Sequence, residues 1–230
     1  MKKLLIAALL INVYVLTSQI SDPIMWGIKG GINFAELKGD HFNDPENTYN
    51  TGIVIGLFSE KPVNDSFSIQ WELLYTMKGV SMNYTEKDSD EFSEYTLEYE
   101  ATLNLNYIEI PVSFRFKMPA GSGFVPSFYA GGSAAFNVSA IGSYKYSFYE
   151  YYDDGSTSFE TEISESESQE VDNVNDLELG LIFGLGLNIP LENGQLLFDV
   201  RYNYGLTTVF DDGESKIYNR VLCLTAGFGF

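Results

Sequence analysis

Cysteine is almost missing from this sequence: its 230 residues include one, Cys223. A single cysteine cannot form an internal disulfide, so a small fold stapled by disulfides is excluded. Long apolar runs are missing too. Beyond the N-terminal segment, no stretch of 18 or more apolar residues predicts a transmembrane helix. Stability and any membrane insertion must therefore come from another kind of structure.

Basic residues and histidine are scarce. The chain has 13 Lys and Arg against 32 Asp and Glu, a formal net charge of −19. Such a chain repels phosphate backbones, so we expect no nucleic-acid partner. The one histidine, His41, lies in the polar stretch KGDHFNDPEN, and no nucleophile with an oriented base accompanies it. We predict a protein that is not an enzyme and that has no cofactor or catalytic metal.

The N-terminus has the layout of a secretory signal peptide. MKKLLIAALLINVYVL combines two lysines with a short apolar stretch, which is typical of such signals. A buried N-terminal helix is the alternative. We predict a signal peptide over 1–20, with an uncertain cleavage site between Thr17 and Asp22, and an exported domain over 21–230.

Apolar and polar residues alternate along most of the remaining chain. In FSIQWELLYTMK (67–78), Phe, Ile, Trp, Leu, Tyr and Met share one face, whereas Ser, Gln, Glu, Thr and Lys share the other. A period of two predicts β-strands. Eight segments show it, at about 26–37, 48–61, 66–79, 100–118, 123–143, 175–190, 194–208 and 217–230.

The connections between these segments alternate in length. Those after the second, fourth and sixth segments are short clusters of turn residues, whereas the others are longer and polar. The pattern predicts an all-β fold, an eight-stranded antiparallel up-and-down barrel with its long loops at one end. Two acidic loops lie at about 80–99 and 144–173. They lack the regular spacing of a Ca²⁺ loop, which favours a solvated, mobile fringe over a Ca²⁺ site.

Two barrels fit this pattern, and they differ in which face meets water. A soluble lipocalin-like barrel has its apolar face inside, whereas an outer-membrane barrel has it outside. Here the polar face combines charges with many small residues, which suits the narrow bore of eight strands. We therefore favour transmembrane strands around a closed lumen; a gated or proton-conducting lumen is the alternative. The predicted luminal charge network comprises Lys29, Glu72, Glu109, Arg115, Asp199 and Arg201.

Aromatic residues on the apolar face are sorted by height. They fall near both ends of the strands, with Ile, Leu and Val between them, as expected for rings at two membrane interfaces. The predicted girdles contain Trp26, Phe67, Phe116 and Phe228 at the end with short turns, and Tyr75 and Tyr204 at the other. Pro111 interrupts the fourth strand and lacks an N–H group, so we expect a bulge or a lost ladder bond beside it.

Four segments carry a family resemblance. WGIKGGINFAEL, IQWELLYTMKGV, LNYIEIPVSFRF and LLFDVRYNYGL resemble the PorT-like outer-membrane β-barrel family of diderm bacteria. The resemblance implies an eight-stranded barrel with both termini in the periplasm. It also implies that Phe230 is similar to the C-terminal aromatic residue by which the barrel assembly machinery recognises its substrates. One member of that family is associated with protein secretion and gliding.

We therefore expect an outer-membrane protein that is exported, monomeric and non-catalytic. Its expected partners are outer-membrane lipids, lipopolysaccharide, the barrel assembly machinery and envelope proteins. The expected role is structural, adhesive or envelope-interacting, through the acidic loops. The alternatives are an accessory component of a secretion or gliding system and a lipid-modifying enzyme.

Overall fold

A computed structural model describes residues 24–39, 47–89, 93–118, 123–153, 158–210 and 216–230. Within these residues, no helix is long and apolar enough to cross a membrane. The described chain forms nine strands. They are β1 (Met25–Gly39), β2 (Asn47–Pro62), β3 (Phe67–Ser89), β4 (Ser93–Lys117), β5 (Val125–Asp153), β6 (Ser158–Glu170), β7 (Leu177–Leu191), β8 (Gly194–Gly205) and β9 (Ile217–Gly229).

Eight of the nine strands are hydrogen-bonded in a closed antiparallel ring. The order runs from β4 through β3, β2, β1, β9, β8 and β7 to β5, and the β4–β5 pairing closes the ring. β6 lies outside the ring, and its pairing partner among the described strands is β5. The prediction of an eight-stranded antiparallel barrel is therefore confirmed.

Strands β3, β4 and β5 extend beyond the ring. The first half of β5, from Val125 to Phe136, pairs with β7, whereas its second half, from Ile141 to Asp153, pairs with β6. Along its other edge β5 pairs with β4 as far as Tyr152. The far halves of β3, β4 and β5 thus form a four-stranded sheet with β6. We call it the outer sheet; it spans residues 82–89, 93–103, 141–153 and 158–170.

Much of the sequence predicted as mobile acidic loops is therefore strand. The segments at 80–99 and 144–173 lie largely within β3, β4, β5 and β6. A strand with water on both sides needs no apolar alternation, and β6, SFETEISESESQE, has little. Its backbone is held by pairing with β5.

Side chains alternate between the barrel wall and the interior as a membrane protein requires. On β4, Glu109 and Arg115 point into the interior and are buried. Phe114, which precedes Arg115 and points outward, is 64% exposed. On β7, Leu185 is 65% exposed beside the buried Ile182. An apolar exterior around a polar interior is the arrangement of a barrel in lipid.

Pro111 is accommodated without a bulge at its own position. On one side it stays paired with Ser133 of β5. On the other, the β3–β4 pairing is interrupted between Trp71–Val112 and Leu74–Glu109, although the register is the same on both sides of the gap. The missing N–H of proline explains a locally lost ladder.

The end of the interior nearest the outer sheet is apolar. Leu37, Val80, Leu105, Tyr107, Ala135, Ala140, Val209 and Ile217 form a buried cluster there. Val174 and Phe210 pack against it and pair with each other in an isolated bridge. The side chain of Asn175 donates hydrogen bonds to the carbonyls of Thr208 (2.9 Å) and Phe210 (3.1 Å). We call this assembly the apolar lid.

Candidate functional site

The barrel interior contains a first group of ion pairs, which we call the lower charge cluster. Asp199 accepts hydrogen bonds from Lys29 Nζ at 3.0 Å and Arg115 Nη2 at 2.9 Å. Glu72 pairs with Lys29 at 3.3 Å and with Arg201. β1, β3, β4 and β8 each present these side chains inward because the period of two puts them on the interior face. Five of the six residues predicted as a luminal network meet in this cluster.

A second group lies nearer the apolar lid, and we call it the upper charge cluster. Lys78 pairs with Glu109 at 3.3 Å and with Glu178 at 2.7 Å. Glu109, the sixth predicted residue, also accepts a hydrogen bond from Asn203 at 3.1 Å. Lys78 and Glu178 were not among the predicted residues. Their signal was present, because each alternates with apolar neighbours on the polar face of its strand.

The two clusters balance each other in charge. The lower cluster has three cations and two carboxylates, and the upper cluster has one cation and two carboxylates. Together they are neutral. All eight side chains belong to residues at most 6% exposed. A buried charge without a partner would cost several kcal/mol, which explains why the carboxylates and cations interleave.

Aromatic rings and glycines complete the packing around the lower cluster. The ring of Tyr129 lies 4.4 Å from the Arg115 guanidinium and 5.5 Å from that of Arg201, measured to the ring centroid. A Cβ atom on Gly184 would lie 2.3 Å from Tyr129 Cζ, and one on Gly186 would lie 2.3 Å from Arg115 Nη1. These glycines on β7 therefore provide the space that the large interior side chains fill.

The aromatic residues predicted as girdles all lie on the outward face. At the end with short turns, Phe67 and Phe116 pack with ring centroids 4.9 Å apart, and Phe116 and Phe128 follow at 5.0 Å. Trp26 is 56% exposed on the same side of the wall. Phe128 was missed, although it alternates correctly within its strand. Phe228 faces outward on β9, where it is paired with Ile28 of β1.

The opposite end of the wall carries tyrosines. Tyr204 is exposed, and its ring centroid lies 3.6 Å from the guanidinium carbon of Arg220. Tyr75 faces outward on β3, where it is paired with Ile55 and Ile108. Amphipathic rings at this height suit a membrane interface.

Two predictions concern the chain termini. Phe230 is 69% exposed, and its backbone exchanges hydrogen bonds with that of Trp26. Its role as an assembly signal stays a prediction. The predicted signal peptide (1–20) and His41 lie outside the described residues.

The outer sheet has two different faces. Cross-strand pairing aligns Tyr84, Tyr99, Tyr146 and Glu165 in one row and Glu86, Leu97, Phe148 and Ile163 in the next. We call this the tyrosine face; it continues the interior surface of the barrel. The other face continues the lipid-facing surface and is rich in hydroxyl groups, so we call it the hydroxyl face. It includes Thr85, Glu98, Ser147 and Ser164 in one row.

Carboxylates on the tyrosine face accept hydrogen bonds from its tyrosines. The Tyr144 hydroxyl donates to Glu167 at 2.5 Å, and the Tyr95 hydroxyl donates to Asp88 at 3.3 Å. The hydrogen bond to Glu167 raises the pKa of Tyr144, and the negative charge of Asp88 raises that of Tyr95. Both phenols therefore stay protonated and able to donate up to a higher pH than a free tyrosine.

The described residues offer no cluster for a metal ion: no group of three or more His, Cys, Asp or Glu side chains among them has suitable geometry. Each of the buried carboxylates has a cationic partner, including Glu60, which pairs with Lys117 near the short turns. The described interior is therefore arranged for charge compensation.

A closed antiparallel ring with an apolar wall, aromatic ends and a charged interior defines an integral outer-membrane β-barrel. The sequence matches the family described as "Outer membrane protein beta-barrel domain" over residues 17–211, and the chain belongs to this family. Its location is therefore the bacterial outer membrane. The narrower PorT-like resemblance stays an interpretation.

Several solved structures are similar to this chain at low sequence identity. Ail, the attachment invasion locus protein of Yersinia pestis, is 15% identical with a TM-score of 0.37, over 90% of this chain and 98% of that one. Neisserial surface protein A is 14% identical with a TM-score of 0.41, over 90% and 98%. OprG from Pseudomonas aeruginosa is 12% identical with a TM-score of 0.41, over 90% and 95%. No curated protein matches the sequence.

Proposed function

We propose that this protein is a monomeric, non-catalytic outer-membrane barrel that presents its outer sheet for adhesion or for interaction with the cell envelope. The observation that carries the proposal is the continuity of β3, β4 and β5 from the ring into the outer sheet. Because its strands continue from the ring, the barrel holds this sheet in a fixed direction. A flexible loop would not be held in this way. The lumen, in this proposal, serves only to stabilise the barrel.

Two features support a closed lumen. The lower and upper charge clusters fill the interior with ion pairs, and the apolar lid covers its outer end. An eight-stranded barrel leaves room for little more than side chains. We expect the purified protein to give no conductance steps in planar lipid bilayers, with a large porin as the positive control. Regular ion conductance by the wild-type protein would contradict the closed lumen.

The proposed surface role can be tested by shortening the outer sheet. Residues 84–98 and 145–166 are each replaced by a short turn, so that the ring strands and both charge clusters remain. We expect the shortened protein to reach the outer membrane and keep its heat-modifiable gel shift. Cells that carry it should lose attachment to surfaces or resistance to envelope stress. Unchanged attachment and unchanged envelope resistance would refute the proposal.

The proposed partners follow from the wall and the terminus. The aromatic girdles would contact outer-membrane lipids and lipopolysaccharide, and Phe230 would engage the barrel assembly machinery. A role in secretion or gliding, as the PorT-like resemblance implies, would appear as envelope partners that co-purify with the detergent-solubilised protein. A lipid-modifying activity would instead appear as an altered lipid A profile in a deletion strain.

A further inference from the structure

The tyrosine face carries an exposed apolar surface that no other strand of the described outer sheet covers. Tyr84 and Tyr99 are each 42% exposed and Ile163 is 52% exposed, and they lie in adjacent rows. Leu97 and Phe148 lie opposite each other between them. Soluble surfaces seldom expose contiguous apolar patches of this kind unless they bind something. Because the face continues the interior surface of the barrel, it cannot be explained by contact with lipid.

The charges around this surface have one sign. The row Tyr84–Tyr99–Tyr146 ends at Glu165, and the next row begins at Glu86. Acidic side chains therefore occupy both edge strands of the face. No lysine or arginine lies on it within residues 82–89, 93–103, 141–152 and 161–170.

Both basic residues of the described outer sheet lie on the other side. Lys87 is paired with Thr96, and Lys145 is paired with Glu100, which places both on the hydroxyl face. Carboxylates lie on both faces, so the two faces of the described outer sheet differ in that the tyrosine face alone has no basic residue to balance its negative charge.

We propose that the tyrosine face binds an extended, arginine- or lysine-rich polypeptide segment of a partner protein. The carboxylates on the edge strands would pair with its cationic groups, and the exposed phenol rings between them would contact guanidinium or ammonium groups face-on. The chain already uses this contact, since Arg220 lies over Tyr204 and Lys78 over Tyr107. An anionic partner such as a sulfated polysaccharide is disfavoured by the same carboxylates. This inference rests on the proposed surface role and specifies its partner.

The test measures binding of two synthetic peptides to the full-length protein in lipid nanodiscs. One is a dodecapeptide of alternating arginine and serine; the other has glutamate in place of arginine. We expect saturable binding of the basic peptide alone. Tyr99→Ser should weaken it about fivefold, as loss of one cation–π contact implies, whereas Tyr151→Ser on the hydroxyl face should change it less than about twofold.

A matched pair of charge variants separates a local site from general attraction. Glu165→Gln with Glu167→Gln removes two carboxylates from the tyrosine face, whereas Glu98→Gln with Glu162→Gln removes two from the hydroxyl face. Both double variants change the net charge equally. The first should weaken binding about fivefold and the second less than about twofold. Equal weakening by both would overturn the proposal, since it would mean non-specific attraction to an acidic protein.

A measurement on the unmodified protein keeps the proposal falsifiable if a variant does not fold. A basic peptide with a photoreactive residue should crosslink to residues of the tyrosine face. Crosslinks confined to the hydroxyl face, or no binding of the basic peptide, would refute the inference. If the peptide does not bind but the shortened outer sheet still abolishes attachment, the proposed surface role survives and this partner class is wrong.

Discussion

Removal of the Asp199 charge should destabilise the barrel strongly. The carboxylate lies between Lys29 and Arg115, at 3.0 and 2.9 Å, with side chains at most 1% exposed. Asp199→Asn is nearly isosteric and leaves both cations buried without this partner, although Lys29 keeps Glu72. The two clusters would then hold one excess positive charge. Loss of one partner from a buried ion pair costs about 3–5 kcal/mol, and we expect a loss in this range.

An exposed ion pair on the same barrel provides the control. Glu36 and Lys38 are paired at 3.0 Å, but their side chains are 22% and 46% exposed. Glu36→Gln removes the same unit of charge, and it should cost less than about 1 kcal/mol because water screens the pair. Both variants are measured by urea unfolding in lipid vesicles, followed by the fluorescence of the two tryptophans, and by the heat-modifiable gel shift.

A second substitution tests whether charge imbalance is the cause. Lys29→Met combined with Asp199→Asn restores equal numbers of cations and carboxylates, and we expect it to recover part of the lost stability. An unfolding midpoint for Asp199→Asn no lower than that of Glu36→Gln would refute the reasoning. Destabilisation that the double variant deepens would show that packing, and not charge, governs the site.

Two further predictions concern packing. Gly186→Ala should destabilise the barrel by about 1–3 kcal/mol, because its Cβ would lie 2.3 Å from Arg115 Nη1. The control, Gly132→Ala on the lipid face, should be nearly neutral. Equal urea midpoints for the two variants would contradict this prediction. Asn175→Ala should remove the hydrogen bonds to the carbonyls of residues 208 and 210 and locally cost about 1–2 kcal/mol. Amide hydrogen exchange in 206–210 should then accelerate while β1 is unchanged, and unaltered exchange would show that the lid is held by packing alone.

The barrel itself could be predicted from the sequence because each ring strand separates two media. Lipid outside and packed polar groups inside impose a strict period of two, so the direction of Glu109 or Phe114 follows from its position. The partner of each charge could not be predicted in this way. Which side chains share a height in the interior depends on strand register around the ring, and local sequence does not determine it.

The outer sheet escaped prediction for a related reason. Towards the outer sheet, the inward face of the strands changes from polar to apolar. On β4, Leu105 points inward only four residues from Glu109, which also points inward. β6 lies in water and carries mostly Ser and Glu, residues with little intrinsic preference for strands. Its position follows from the edge that β5 offers, which is a tertiary effect.

The wide sequence separation of the luminal ion pairs bears on how the protein enters its membrane. Lys29 and Asp199 are 170 residues apart, and Glu72 and Arg201 are 129 apart. Neither pair can form in a partly assembled sheet, because its members meet only when the first and last strands come together. Until that moment Asp199 lacks Lys29 and Arg201 lacks Glu72, so an open seam would leave charged side chains facing hydrocarbon. Insertion and closure should therefore be a single concerted event, in which formation of the interior ion pairs stabilises the closed barrel.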